Sequence, residues 1–292
     1  MENKIKTFRL FVRPDARSNQ IAEKIRTLSA KSESPLIEAE DADLVIAIGG
    51  DGTFIDAVTN TNFSKNIIYT GIHTGTLGFL QDTCENDIFS LIKYISYEKE
   101  LKTRKIYTAF VEVFSKDNSS IYQFFSLNEV LVVGENYSKI SFAQYVNGEL
   151  LQNVSGNGIA IATSTGDTAY SLNANGAIDF SNNFQLVCTL QTPIRNAAYE
   201  RFITNPIICS KINIVLKPSE NISLIIDGKK KEIPSSNIER IQVSMVDDSN
   251  YINKLDIMNY SKVRIVREKI LGYDCISGDL RLLTQNNFSR NI

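Results

Sequence analysis

The sequence has no tryptophan and a single histidine, His73, among its 292 residues. One histidine cannot build a two- or three-histidine zinc site, and HExxH is absent. A catalytic triad would have to be built on His73 itself. The four cysteines, Cys84, Cys188, Cys209 and Cys275, form no CxxC pair. They read as reduced thiols packed as small apolar side chains. No apolar run approaches the roughly 18 residues that a membrane helix needs. Met1–Thr7 is polar and charged, so no secretory signal is expected and the chain is expected in the cytoplasm. Neither sign of charge dominates: 31 Lys and Arg against 33 Asp and Glu leave a formal −2. A general basic field for nucleic acid is therefore missing.

What is present is ordinary for a globular protein, 43% hydrophobic and 22% charged. Disordered, coiled-coil and collagen-like chains are excluded by that composition. Up to about residue 100 two periods alternate. Thr7–Val12 reads as a strand, and Pro14–Ser32 as a helix with Ile21, Ile25 and Leu28 on one face. Asp43–Ile48 is a near-continuous apolar run that ends at Gly49, as a buried parallel strand does. Gly52–Thr61 and Asp87–Ser96 read as helices and Ile67–Ile72 as a strand. Strand alternating with helix predicts βαβ units on a parallel sheet. From about Thr103 the pattern becomes short β-rich runs, Ile106–Phe114, Ile121–Leu127, Val130–Val133, Ile140–Val146, Gly158–Ala162, Ile212–Leu216, Ile222–Ile226 and Ile238–Val246, broken by turn clusters such as Asn147-Gly148 and Asp227-Gly228. That predicts an antiparallel, sandwich-like domain. The expected division is an α/β domain over 1–102 and a β-rich domain over 103–258. A C-terminal segment, 259–292, is expected to return to the first domain.

Four segments carry chemistry. Gly49-Gly50-Asp51-Gly52-Thr53 directly follows the strand DLVIAI. Glycines there let backbone N–H groups approach a phosphate, and a following helix start adds a positive dipole. The segment is neither GxxxxGK[ST] nor GxGxxG. A carboxylate inside the turn would repel phosphate unless it binds Mg²⁺ or takes a proton from an attacking hydroxyl. Gly71-Ile72-His73-Thr74-Gly75-Thr76-Leu77-Gly78-Phe79 follows the next strand, at the same carboxyl edge of the sheet. Asn128-Glu129 could read an adenine edge and hold ribose hydroxyls. Thr163–Ser171 is a dense hydroxyl run with one Gly and one aromatic, suited to sugar and phosphate oxygens. Taken singly, each is also compatible with a plain turn, loop or strand end.

Taken together and in this order, the segments resemble the NAD kinase family, in its ATP- or polyphosphate-dependent bacterial form. The resemblance rests on GGDGT at 49–53, GIHTGTLGF at 71–79, Asn128-Glu129, TSTGDTAY at 163–170 and the later Asp227-Gly228. It spans roughly residues 5 to 270. GGDGT alone is shared with diacylglycerol and sphingosine kinases and, in variant form, with phosphofructokinases. The resemblance implies an α/β domain followed by a β-rich one, a homodimer or homotetramer, and an NAD site between domains. It implies a transferase that phosphorylates the adenosine 2′-hydroxyl of NAD from ATP, giving NADP. Polyphosphate is an alternative donor, and a divalent metal, Mg²⁺, is held mainly through the nucleotide phosphates; no side chain is assigned as a metal ligand.

By the same likeness Asp51 is the general base. Gly49, Gly50, Gly52 and Thr53 hold phosphates, with Thr74, Gly75 and Phe79 beside them. Asn128 and Glu129 hold the adenosine. Thr168, Ala169 and Tyr170 line the adenine pocket, which Ser171, Leu172 and Asn173 complete. Thr165, Thr192, Asp227 and Lys229 join the nucleotide-binding set. The chain departs from the family pattern at four positions. Ser164 replaces a proline, Asp167 a Ser or Thr, Asn157 an aspartate and Ser155 a basic residue. Ser155 and Asn157 fall at the nicotinamide end, and Asp167 reads as an extra carboxylate beside the pocket. Two alternatives stay open on the sequence: a non-catalytic dinucleotide-binding relative, and a lipid or sugar kinase sharing GGDGT.

Overall fold

The structure, a computed structural model, describes residues 5–32, 34–75, 78–81, 83–98, 100–181, 184–194, 202–218, 220–234, 237–245, 250–257 and 260–270. Thr76, Leu77, Cys275 and the tail from 271 lie outside them. The chain divides into two compact units. One comprises the described residues up to Lys105 and from Ile252; the other is Ile106–Tyr251.

The first unit begins with β1 (Thr7–Val12), α1 (Ala16–Lys31), β2 (Ile37–Glu38), β3 (Leu44–Gly49) and α2 (Asp51–Asn60). It continues with β4 (Ile68–His73), β5 (Thr83–Cys84), α3 (Ile88–Tyr97) and β6 (Thr103–Tyr107), which runs across the division. The second unit holds β7 (Ala109–Phe114), β8 (Ser120–Ser126), β9 (Glu129–Gly134), β10 (Ile140–Val146), β11 (Glu149–Gly156) and β12 (Gly158–Thr163). After the short α4 (Tyr170–Asn173) come β13 (Leu186–Gln191), β14 (Ile207–Cys209), β15 (Lys211–Leu216), β16 (Ile222–Ile226), β17 (Lys229–Lys231) and β18 (Arg240–Ser244). The chain re-enters the first unit with β19 (Tyr251–Leu255) and α5 (Lys262–Lys269). The sequence reading carried the second segment to 258. The structure returns the chain earlier, because β19 pairs in parallel with β4, Lys254 beside Tyr69.

The first unit is one sheet in the order β2-β1-β3-β4-β19-β6, with β5 also on β4; the pairs from β2 to β19 are parallel. Every residue of β3 is buried, as expected for a strand covered on both faces. Leu44, Ile46 and Ile48 face one way, into a cluster with Ile21 and Ile25 of α1 and Ile88, Leu91 and Ile95 of α3. α2 covers the opposite face, where its Phe54 meets Tyr69 of β4 at 6.3 Å between ring centroids. α1 starts where it does because the Asp15 carboxylate caps it, accepting from the Ser18 N–H at 2.9 Å, worth about 1 kcal/mol.

The second unit is two antiparallel six-stranded sheets, β11-β10-β15-β18-β7-β8 and β14-β13-β12-β9-β16-β17. Alternate residues of both sheets share one core. Val111, Phe142, Ile212 and Ile241 come from the first sheet, and Val132, Ile159, Ile161 and Leu224 from the second. The reading of Ile106–Phe114 as one run is corrected to two strands, β6 and β7, which divide at Thr108.

Candidate functional site

The glycine turn sits where β3 ends and α2 begins. Gly50 is the residue before the helix, and Asp51 opens it. The glycines of this edge fall into two kinds. A Cβ on Gly49 would lie 2.3 Å from Thr53 Oγ1, one on Gly71 1.9 Å from Gln81 Oε1, and one on Gly78 2.2 Å from Asp51 Oδ1. Packing demands these three. A Cβ on Gly50, Gly52 or Gly75 would meet nothing within 4 Å. The fold does not require glycine there, but a ligand approaching the backbone would.

Asp51 is held rather than free. Its Oδ2 accepts from the Phe79 N–H at 2.7 Å and its Oδ1 from the Leu80 N–H at 2.8 Å. A carboxylate offers about four lone-pair sites, so this clamp orients Asp51 and leaves room for one more donor on each oxygen. Gln81 braces the same turn by donating to the Gly50 carbonyl at 2.7 Å. Thr53 closes the first helical turn, its N–H to the Gly50 carbonyl at 3.0 Å. Thr74 is buried, and its hydroxyl faces the Ser18 hydroxyl at 3.4 Å, so it ties the loop to α1. His73 faces the Gly75 carbonyl at 3.1 Å; because a carbonyl only accepts, Nδ1 carries the hydrogen. Burial pushes the imidazole down in pKa, and Lys269 and Arg17 add to that. Among the described residues no three His, Cys, Asp or Glu side chains gather as a metal site.

The second unit supplies a different arrangement. Asp227 turns the β16–β17 hairpin with φ +50°, followed by Gly228 at φ +76°, the pattern of a tight hairpin turn. Its carboxylate points inward and accepts four donors: Ser126 Oγ at 2.8 Å, and the N–H groups of Leu127 at 2.8 Å, Asn128 at 2.7 Å and Glu129 at 3.2 Å. Asp227 therefore fixes the segment that carries Asn128 and Glu129; its own oxygens are spent on that task. From the other side Thr163 donates to the Leu127 carbonyl at 2.6 Å, and its own N–H reaches the Asn128 carbonyl at 2.8 Å. A Cβ on Gly166 would lie 2.1 Å from that same Asn128 carbonyl, which fixes the glycine of the TSTG run. The sequence reading missed Thr163. It stood inside the motif, but its partners lie 36 residues away.

Held in this way, Asn128 Oδ1 and Glu129 Oε2 are buried and meet no hydrogen-bond partner among the described residues. Leaving such oxygens without a partner costs about 1–3 kcal/mol each, and a ligand that supplies donors would remove that cost. Burial first, and the Asp227 carboxylate second, push the Glu129 carboxyl up to about 7, against the Tyr170 N–H, which pulls it down. Burial raises Asp227 as well, while its hydrogen-bond donors pull it back. The four donors favour the charged form of Asp227.

The hydroxyl run divides in two. Thr165 and Gly166 give their N–H groups to Thr163 Oγ1, both at 3.2 Å. Thr168 is buried, Ala169 is half-buried, and the Tyr170 side chain is 39% exposed, its hydroxyl 3.5 Å from Gln191 Oε1. Ser171 is fully buried against Thr189, Leu172 is half-buried and Asn173 is exposed. Thr192 is exposed with a positive φ of 42°, and Lys229 is exposed on β17.

Hydrogen bonds hold Asp167, Asn157 and Ser155, three of the departures from the family pattern. Asp167 is completely buried and accepts the Asp179 N–H at 2.6 Å. Asn157 gives its side-chain N–H to the Tyr137 carbonyl, which an aspartate could not do. Ser155 is buried with its hydroxyl 2.9 Å from that of Ser141.

Two family models match, the ATP-NAD kinase N-terminal domain over residues 10–100 and the ATP-NAD kinase C-terminal domain over residues 127–255. The chain is 35% identical to the bifunctional NADP phosphatase/NAD kinase of Methanocaldococcus jannaschii over 63% of its own length and 31% of that protein's. It thus spans about a third of that relative. It is 27% identical to the NAD kinase of Finegoldia magna over 87% of this chain and 94% of that one. Among solved structures, yeast NADH kinase complexed with NADH gives a TM-score of 0.77 at 20% identity, covering 93% of this chain and 89% of that one. An NAD kinase from Archaeoglobus fulgidus in complex with ATP gives 0.67 at 17% identity, covering 92% and 100%. At those identities the structural likeness speaks to the fold. Both family domains occur in order, with the motif residues on the elements just described, and the chain belongs to the ATP-NAD kinase family.

Proposed function

We propose that the protein phosphorylates NAD to NADP, moving the γ-phosphoryl group of ATP to the adenosine 2′-hydroxyl. The observation that carries this is the pair of orphaned buried oxygens, Asn128 Oδ1 and Glu129 Oε2, beside a rigid hydroxyl-rich turn. An amide oxygen matches an exocyclic amine, and a carboxyl matches vicinal sugar hydroxyls; adenosine offers both. Tyr170 adds a partly exposed ring for the base. In the first unit, Gly50, Gly52 and Gly75 give the donor's phosphates access to backbone N–H groups and to the N-terminus of α2. Asp51 takes the proton of the attacking hydroxyl, its two backbone bonds fixing the direction in which it accepts.

Phosphoryl transfer of this kind depends on positioning and charge stabilisation more than on reactive side chains. A divalent metal, magnesium in this reading, would come with the donor's phosphates and would supply neutralisation of their charge. The same reading makes the protein a cytoplasmic homodimer or homotetramer, with polyphosphate as a second donor class. The test is direct. Purified protein is incubated with ATP, Mg²⁺ and NAD, and NADP is read with an NADP-specific dehydrogenase. Binding of NAD without any NADP would refute the reading and leave a dinucleotide-binding relative.

A further inference from the structure

α2 begins at Gly50, which has no side chain to cap it, whereas Asp15 caps α1 and Ser261 caps α5. The local sequence does not fix the plane of the Gly50–Asp51 peptide, since glycine turns freely about both its backbone bonds. That plane matters. The peptide is trans, so its N–H points opposite to its C=O. The Asp51 N–H is the first of the donors that an α-helix leaves without an internal acceptor.

A side chain from elsewhere sets the plane. Gln81 gives its Nε2–H to the Gly50 carbonyl at 2.7 Å, closer than the helical donors of the same carbonyl, Thr53 at 3.0 Å and Phe54 at 3.3 Å. Gly71 of β4 makes room for it. A Cβ there would stand 1.9 Å from Gln81 Oε1 and 2.8 Å from its Cδ. Gln81 is 3% exposed, and its Oε1 is buried with no hydrogen-bond partner among the described residues. An orphaned amide oxygen is a cost, and a leucine would fill the slot without it. The two residues before Gln81 hold the Asp51 carboxylate through the Phe79 and Leu80 N–H groups. The stretch 79–81 therefore grips the glycine turn twice, at the carboxylate and at the carbonyl.

We propose that Gln81 is a positioning residue for the phosphoryl donor, holding the Gly50–Asp51 peptide so that the Asp51 N–H faces the donor's phosphates. It touches neither substrate nor reacting atom. The inference rests on the donor half of the function proposed above and adds the side chain that sets the direction of anion binding. Because backbone N–H groups hold the carboxylate, removing the Gln81 amide leaves Asp51 in place and loosens the donor alone.

The experiment is isothermal titration calorimetry with ATP and with inorganic tripolyphosphate, on the intact wild type, Gln81→Leu and Gln81→Glu, alongside melting and steady-state kinetics. Gln81→Leu should bind both probes roughly 10-fold more weakly, the effect of partly losing a hydrogen bond to a charged group. KM for ATP should rise by a similar factor, with kcat and KM for NAD within about twofold of wild type. Its melting temperature should stay within about 3 °C, because one bond goes and one orphaned oxygen goes with it. Gln81→Glu is the conservative rescue. A protonated carboxyl can donate to the Gly50 carbonyl as the amide does, and an ionised one cannot. Burial raises the pKa of such a carboxyl. The variant should therefore bind within about threefold of wild type at pH 6 and fall roughly 10-fold behind it at pH 8.5. Wild-type affinity in Gln81→Leu overturns the proposal, as does a Gln81→Glu deficit that is the same at both pH values. A lowered melting temperature with KM for ATP and for NAD rising together would make Gln81 structural. Weakened donor binding in Gln81→Leu, where the wild type itself makes no NADP, would sink the kinase reading and support this one.

Discussion

Replacing Asp227 by asparagine changes one atom and removes the centre of the clamp that fixes Asn128 and Glu129. Oδ1 can keep its three donors, from Ser126, Asn128 and Glu129. The other oxygen becomes an NH₂ group facing the Leu127 N–H, which now sits 2.8 Å from the atom replaced. Donor meets donor, and a buried N–H without an acceptor costs about 1–3 kcal/mol. The three surviving bonds lose their charge assistance and about half their strength. Against this, a buried charge is gone and its repulsion of Glu129 with it. The balance is a destabilisation of about 2 kcal/mol, which lowers the melting temperature by roughly 5 °C. Calorimetry measures that. Steady-state kinetics measures the second effect, a rise of roughly 10-fold in KM for NAD as Asn128 and Glu129 lose their fixed directions, with KM for ATP little changed. A variant that melts within about 1 °C of wild type and keeps its KM for NAD would refute the clamp.

Glu129→Gln should flatten the pH dependence of stability. A carboxyl raised from 4.5 to about 7 binds more protons folded than unfolded. The wild type therefore loses stability as pH rises from 4.5 through 7, by up to about 3 kcal/mol. Denaturation at pH 5 and pH 8 should show that loss in the wild type and not in the variant. Asp51→Asn should lose at least ~10²-fold in kcat, and the variant must also give up one of the two backbone bonds, to Phe79 or Leu80; wild-type turnover would remove Asp51 from the chemistry. Gly78→Ala drives a methyl to 2.2 Å from Asp51 Oδ1, so its kcat should fall without any change to a reacting group, and an unchanged kcat would show that the clamp does not matter. Tyr170→Ala should raise KM for NAD several-fold more than KM for ATP; equal effects would make the ring structural.

The elements with strong periodicity were legible before any coordinates. Thr7–Val12, Ile140–Val146 and Ile222–Ile226 were read at the bounds the structure gives them. β11 escaped because it is exposed along its first three residues, so alternation is weak. β13 is buried on both faces, and such a run has no period to read. In the site, motif spacing marked Asn128, Glu129 and Tyr170 as candidates. It could not tell a side chain that faces a ligand from one spent on the fold. The side chains of Thr74, Asp167 and Asp227 each meet a partner at least 12 residues away, which no local spacing reveals. The burial of Lys254 was equally hidden: a lysine in a strand ordinarily lies at the surface, and only the register with β4 buries it.

The Asp227 carboxylate closes a loop of 100 residues onto Leu127, which gives the segment with Asn128 and Glu129 a place in time. Asn128, Glu129 and the 163–170 turn leave the ribosome well before the hairpin that fixes them. At roughly 5–20 residues per second, that interval lasts several seconds. Through it the motif residues are all present, but the donors of 126–129 have no carboxylate to gather them. Such long-range closure is slow in antiparallel sheets. A nascent or truncated chain ending before Asp227 therefore cannot be rescued by NAD, since the dinucleotide stabilises only what is already assembled. Binding competence should arrive abruptly, as one of the last events of folding in the second unit.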